Sequence, residues 1–126
     1  MNENIEMEEQ FKQLRKVLHE DKLATFREIF LEWHLYEQGQ FYFTLDEKER
    51  LRLYTYLSPK ETADMFDVIE EDHEDMKDYL AEMAPRYVAD MLSEMYADNA
   101  ADILNELDKE EALKYLSLMT SENVNR

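Results

Sequence analysis

Apolar and polar residues follow each other along this chain in a pattern that recurs about every twelve residues. Its copies occupy residues 27–33, 39–45, 51–57, 63–69, 77–83, 89–95, 101–107 and 113–119. The third, fourth and seventh positions of every copy are apolar or aromatic, and the second position never is. A slip of two residues between the copies at 63–69 and 77–83 interrupts the twelve-residue step.

Each copy has the spacing of one short amphipathic helix. With the residue before the copy, as in Ala100, Ile103, Leu104 and Leu107, the apolar positions fall at i, i+3, i+4 and i+7, which is one face of an α-helix. Each unit is therefore predicted to be a helix of about eight or nine residues followed by a turn of about three or four. Helices this short are marginal alone in water, so they must pack against each other. The sequence thus predicts an all-α fold, an α-solenoid or superhelix whose unit is a single helix.

Signals for helix starts recur at the same step. In a capping box, the N-cap side chain accepts a hydrogen bond from the backbone N–H three residues later, and the acidic side chain there bonds back. The sequence predicts such boxes at Asp46 with Glu49, Ser58 with Glu61 and Asp108 with Glu111, and a weaker one at Asp72 with Asp75. Pro59 and Pro85 stand where first helical residues belong, because a missing N–H costs nothing there.

The repeat divides the chain into three parts. Residues 1–22 are predicted to form an N-terminal amphipathic capping helix with the apolar stripe Met7, Phe11, Leu14 and Leu18. Residues 23–119 hold the helical repeat, and residues 120–126 are expected to be a frayed end or a truncated linker to a CBS-type domain. One glycine and two prolines in 126 residues disfavour a strand-rich fold with many tight turns.

The composition is strongly acidic, with 31 Asp and Glu against 14 Lys and Arg and a formal charge of −17. Such a surface repels phosphate, which excludes nucleic acid as a partner and disfavours anionic membrane surfaces. Small cations and proteins with basic patches are left as partners. No apolar run is long enough to span a bilayer, so the chain itself is expected to be soluble and not to insert into a membrane. The absence of cysteine excludes disulfides and thiolate metal sites.

Catalysis finds little support in the residues, and the chain is not expected to be an enzyme. The three histidines are scattered at positions 19, 34 and 73, outside any recognised catalytic arrangement. With Gly39 as the one glycine, neither a glycine-rich phosphate loop nor the calcium loop of an EF-hand can form. The cluster of His73 with the acids of residues 71–75 is interpreted as a solvated helix start, where acids complement the helix dipole.

Three carboxylates are the candidate metal ligands. Asp98 and Asp102 are four residues apart, so they are neighbours on one helix face, about 6 Å apart. Such a like-charged pair is mildly destabilising unless a cation lies between the oxygens. Asp64 has the same repeat position as Asp102, so a superhelix could bring their faces into register. Mg²⁺, Ca²⁺ and Mn²⁺ all suit carboxylate oxygens, and the alternative is an ordinary solvated acidic face.

The segments ADMFDVI, APRYVADMLSEM and ADNAADILNELDKEEALKYL, with the repeat that contains them, resemble the N-terminal cytosolic domain of MgtE-type magnesium transporters. The resemblance covers about residues 10–120. It implies a right-handed superhelix of short helices on the cytoplasmic side of the cell membrane. In the whole transporter, a pair of CBS domains, a connecting helix and a pore domain would follow. Those domains of the same transporter are the expected partners, and the transporter is expected to be a homodimer.

The resemblance also implies a function. In the family, Mg²⁺ binds between this domain and the CBS domains, and high Mg²⁺ favours the compact, closed state. The family's ligands match Asp64 in ETADMF, and Asp98 and Asp102 in ADNAADIL. The chain is therefore expected to be a Mg²⁺-sensing regulatory domain that conducts nothing itself. A helical-repeat scaffold for protein–protein interaction, without metal function, is the alternative.

Overall fold

The computed structural model describes residues 2–70 and 76–124, and all regular structure in these ranges is helical. The helices are α1 (Asn2–His19), α2 (Leu23–Phe30), α3 (Leu35–Phe43), α4 (Glu47–Tyr56), α5 (Pro59–Ile69), α6 (Met76–Glu82), α7 (Pro85–Glu94), α8 (Ala97–Glu106) and α9 (Lys109–Val124). The predicted all-α fold is thereby confirmed for these ranges. None of the described helices is both long and apolar enough to cross a bilayer.

Each helix from α2 to α9 contains most of one copy of the repeat, which confirms a single helix as the unit. The helices α2 to α8 are short, between the 7 residues of α6 and the 11 of α5. The helix α9 has 16 residues and continues past the last copy to Val124. The slip in the repeat falls partly within residues 71–75. The predicted cap at Asp72 with Asp75 and the cluster around His73 lie outside the described residues.

In most copies, the seventh position lies just beyond the end of the helix. In several of these copies its backbone N–H donates to the carbonyl of the fourth position, as from Leu45 to Tyr42 (3.1 Å) and from Leu107 to Leu104 (3.2 Å). A bond that reaches three residues back tightens the last turn and satisfies a terminal carbonyl. Leu45 and Leu107 are nevertheless buried. The same residue therefore ends the helix and contributes to the core.

The apolar stripe of the repeat forms the core. Most side chains at the third, fourth and seventh positions are buried. The exceptions are Ile29, Trp33, Leu104, Leu116 and Met119. They belong to the first copy and the last two, and copies near the ends of a repeat array have fewer neighbours to cover them.

The chain folds as two compact units that divide between Tyr56 and Leu57. In the first unit, α1 packs against α2 and α4. Leu14 and Leu18 of the predicted capping helix are both buried there. In the second unit, alternate helices pack together, α5 with α7, α7 with α9 and α6 with α8. The right-handed superhelix stays a prediction.

The predicted capping boxes form at the starts of α4 and α5. The Glu49 N–H donates to Asp46 Oδ1 and the Asp46 N–H donates to Glu49 Oε1, both at 2.9 Å. The Glu61 N–H donates to Ser58 Oγ at 3.1 Å, and the Ser58 N–H donates to Glu61 Oε1 at 2.9 Å. The two prolines begin α5 and α7, as predicted. Local sequence therefore determines where these helices start.

The starts of α7 and α9 are held differently. At α9, the Glu111 N–H donates to Asp108 Oδ1 at 2.9 Å. At α7, the Tyr87 hydroxyl donates to Leu57 O at 2.9 Å and lies 2.6 Å from the Thr62 hydroxyl. Because the Tyr87 proton goes to Leu57, Thr62 is the donor in the second bond. Burial raises the pKa of Tyr87 to about 12.

Candidate functional site

Asp64 lies on α5 with 40% of its side chain exposed. Lys60, one turn earlier, places its Nζ 3.0 Å from Asp64 Oδ1. The hydrogen bond to Asp64 and the charge of that carboxylate raise the pKa of Lys60, and the charges of Glu94 and Asp67 add to the effect. Asp64 is therefore already paired with a cation that belongs to the chain.

Asp98 and Asp102 lie on α8, and both side chains are exposed. Asp98 stands in the first turn, where the helix dipole favours a carboxylate. The two residues share one face of the helix, as their four-residue spacing predicts. Within residues 2–70 and 76–124, no basic side chain lies within ion-pair distance of either carboxylate. This pair, unlike Asp64, keeps its negative charge uncompensated by a nearby basic residue of the described chain.

Asp67, about one turn beyond Asp64 on α5, caps the start of α8. Its Oδ1 accepts hydrogen bonds from the Tyr96 backbone N–H at 3.1 Å and from Asn99 Nδ2 at 3.0 Å. The Tyr96 nitrogen also lies 3.3 Å from Asp67 Oδ2, and Asn99 Nδ2 donates to the Asp67 carbonyl at 3.3 Å. These bonds join α5, which carries Asp64, to α8, which carries the other two candidate ligands.

The candidate ligands supply part of a coordination shell. In the described part of the chain, no group of three or more acidic or histidine side chains is placed to hold a metal ion by itself. The donor chemistry fits Mg²⁺, because this ion binds proteins through one or two carboxylates and keeps several waters. Asp64, Asp98 and Asp102 stay predicted ligands, which would share an ion with water or with another domain.

Lys60 and Asp67 are the residues of this region that sequence reasoning missed. The spacing of Lys60 and Asp64 was a readable signal, since residues four apart on a helix are neighbours. For Asp67 the signal was indirect. The start of α8 has Tyr96 at the N-cap and the short amide Asn99 where a capping box has Glu or Gln, so the residues of a capping box are missing. A missing local cap indicates that a side chain from elsewhere in the fold accepts the hydrogen bond from the N-cap, but it does not identify that side chain.

Comparison with known proteins gives a family model, a relative and a solved structure, and each of them concerns magnesium transporters. Residues 33–126 match the model of a family described as the MgtE intracellular N domain. The magnesium transporter MgtE of Enterococcus faecalis (strain ATCC 700802 / V583) is 67% identical over 90 residues, which cover 71% of this chain and 20% of that protein. A crystal structure of the soluble part of a magnesium transporter has a TM-score of 0.88 and 66% identity, and the match covers 92% of this chain and 45% of that one.

Proposed function

This chain belongs to the family of MgtE intracellular N domains, and we propose that it is the Mg²⁺-sensing regulatory domain of a magnesium transporter. The family match bears out the predicted resemblance and the predicted cytoplasmic side of the membrane. The chain spans 20% of the curated relative and 45% of the solved soluble part. We therefore propose, for the whole protein, that it transports Mg²⁺, that CBS domains and a pore domain follow this chain, and that it is a homodimer.

The observation that carries the proposal is the acidic face of α8. Asp98 and Asp102 are exposed there one turn apart, with no basic side chain of the described residues at ion-pair distance. A like-charged pair at this spacing costs about 0.2–0.5 kcal/mol of folding free energy. A bound Mg²⁺ would supply two positive charges and the hydrogen-bonding waters of its shell. Asp64 would contribute a third carboxylate from α5.

The chain's own residues would act through repulsion and its release. At low Mg²⁺, Asp64, Asp98 and Asp102 repel the carboxylates of the neighbouring CBS domain, and this repulsion favours an open arrangement. At high Mg²⁺, the same three side chains share the ion with that domain, and the compact, closed arrangement is favoured. Mg²⁺ can shift the equilibrium between the open and the closed arrangement only by the difference between its binding free energies to the two. The role is regulatory and involves no bond-making step.

Small-angle X-ray scattering tests the proposal on the soluble part of the transporter, in which this chain is followed by its CBS domains. We expect the radius of gyration to fall as Mg²⁺ rises. Asp98→Asn or Asp102→Asn should move the midpoint to higher Mg²⁺ by about 10-fold or more, since one interaction with a charged group contributes about 1.5 kcal/mol or more.

Asp78 offers a matched control. It is exposed on α6 and has there the repeat position that Asp102 has on α8. Asp78→Asn removes the same charge and should leave the midpoint within about twofold, because an exposed charge that does not bind the ion directly is screened by solvent and salt. A wild-type protein with no Mg²⁺ response contradicts the proposal. An Asp78→Asn shift as large as that of Asp102→Asn would show a general charge effect and no specific ligand.

A protein-interaction scaffold without metal function is the competing proposal. Leu113 and Leu116 are exposed on α9, and helical-repeat proteins bind partners through extended surfaces of their repeats. A scaffold function predicts that the radius of gyration does not change with Mg²⁺. It also predicts a protein partner whose affinity falls with salt, because the acidic surface would attract a basic one.

A further inference from the structure

The start of α8 depends on a side chain from another helix. The helices α4 and α5 begin with capping boxes made by their own residues. The N-cap of α8 is Tyr96, which makes no side-chain cap hydrogen bond. Its backbone N–H instead donates to Asp67 of α5 at 3.1 Å. This is the bond that the third-residue acid makes in a capping box, supplied here across the fold.

The two residues that donate hydrogen bonds to Asp67 flank Asp98 in the sequence. Tyr96 precedes Asp98 by two residues and Asn99 follows it, and both donate to Asp67 Oδ1. Asp67 itself follows Asp64 by three residues on α5. A single carboxylate therefore links the helix turn that carries Asp98 to the helix turn that carries Asp64.

We propose that Asp67 is a positioning residue for the ion site, which sets the place of Asp98 and Asp102 relative to Asp64. The inference rests on the proposed function. Both oxygens of Asp67 face the donors of Tyr96 and Asn99, which supports a positioning role over a role as ligand. Groups that hydrogen-bond and orient the residues around a metal contribute to affinity without touching the ion. Asp67 has that role here through the backbone of α8.

Titration with MgCl₂ of the soluble part of the transporter, in which this chain is followed by its CBS domains, tests this inference through the backbone amide signals of Asp64, Asp98 and Asp102 in NMR spectra. Asp67→Ala removes the acceptor for Tyr96 and Asn99, and we expect its Mg²⁺ midpoint to rise by about 10-fold, the lower end of what orienting residues contribute at metal sites. Asp67→Asn removes the charge and keeps one oxygen that can accept both bonds. Its midpoint should stay within about twofold of wild type.

The two substitutions separate positioning from direct binding. If Asp67→Asn weakens Mg²⁺ binding as much as Asp67→Ala does, the carboxylate charge itself is required and positioning is wrong. If neither variant changes the midpoint, the inference is also wrong. Hydrogen exchange of the Tyr96 amide should be faster in Asp67→Ala than in Asp67→Asn. Circular dichroism and thermal unfolding show whether the remaining helices stay folded.

A double-mutant cycle with Asp98→Asn completes the test. If Asp67 acts by placing Asp98, Asp67→Ala should have little further effect on the midpoint in the Asp98→Asn chain. Equal effects in both backgrounds contradict the inference. A wild-type soluble part whose Asp98 and Asp102 signals do not change with Mg²⁺ overturns the proposed function, and the inference with it. A wild-type response with additive variants overturns the inference alone.

Discussion

At the residue scale, Lys60 is the feature that most directly opposes ion binding at Asp64. Its ammonium lies 3.0 Å from Asp64 Oδ1, and both side chains are partly exposed. A lysine is charged at physiological pH, and the hydrogen bond with Asp64 raises the pKa of Lys60 further. An ion that uses Asp64 must therefore displace Lys60 or tolerate a positive charge beside it.

Replacing Lys60 by methionine should strengthen Mg²⁺ binding. Methionine keeps the length and helix propensity of the side chain and removes its charge. We expect the Mg²⁺ midpoint of the Asp64 amide signal to fall by about twofold, because an exposed ion pair at this spacing contributes about 0.3–0.5 kcal/mol. Lys109→Met, on α9, is the control for a general change of charge. A midpoint that rises, or one that Lys109→Met lowers equally, contradicts competition by Lys60.

At the element scale, Tyr87 ties the start of α7 to the residues that begin α5. Its hydroxyl donates to Leu57 O, and burial raises its pKa to about 12. In the unfolded chain a tyrosine ionises near pH 10, so below about pH 10 the neutral hydroxyl is present in both states. As the pH rises from about 10 to about 12, the unfolded chain loses this proton first and the free energy of unfolding falls.

Urea unfolding at pH 8 and pH 11.5 measures this loss. Wild type should lose less than about 2 kcal/mol more than Tyr87→Phe over this range, because pH 11.5 stops short of the folded pKa and solvent screens the partly exposed ring. Burial also raises the pKa values of Tyr56 and Tyr115. Those residues are present in both proteins, so the difference isolates Tyr87. Equal losses in the two proteins would show that Tyr87 is not the titrating group.

The elements show what periodicity can predict and what it cannot. One helix per copy, the buried stripe and the caps at Asp46 and Ser58 depend on residues within a turn or two, and the structure confirms them. The contacts from Asp67 to Tyr96 and from Tyr87 to Leu57 join residues 29 and 30 positions apart. A repeat pattern determines which face of each helix is buried. It does not determine which polar side chain of one helix meets the start of another.

For the candidate site, too, the sequence predicts local features and not the contacts between helices. The four-residue spacing was enough to place Asp98 and Asp102 on one face of α8. The repeat position that Asp64 shares with Asp102 makes it a third candidate, and the resemblance to a family implies all three as ligands. The shared repeat position does not show how α5 and α8 are joined, because that connection is a three-dimensional contact through Asp67.

At the scale of the whole molecule, the negative charge is concentrated in the unit that carries the candidate ligands. Residues from Leu57 onward hold 19 of the 31 acidic residues and six of the 14 Lys and Arg. A field of this kind raises the local concentration of any cation. It therefore attracts Mg²⁺ with or without a specific site, and the two contributions have to be separated.

Ionic strength separates general attraction of Mg²⁺ by the acidic surface from binding at a specific site, because salt screens distant charges far more than groups in direct contact. From about 0.1 M to about 1 M KCl the Debye length falls from about 10 Å to about 3 Å, so the Mg²⁺ midpoint of the wild-type chain should rise severalfold. The small effect of Asp78→Asn should disappear at high salt. The effect of Asp102→Asn should persist, since a ligand lies within bonding distance of its ion. If high salt abolishes the effect of Asp102→Asn as well, Asp102 acts through the general field and α8 holds no specific Mg²⁺ ligand.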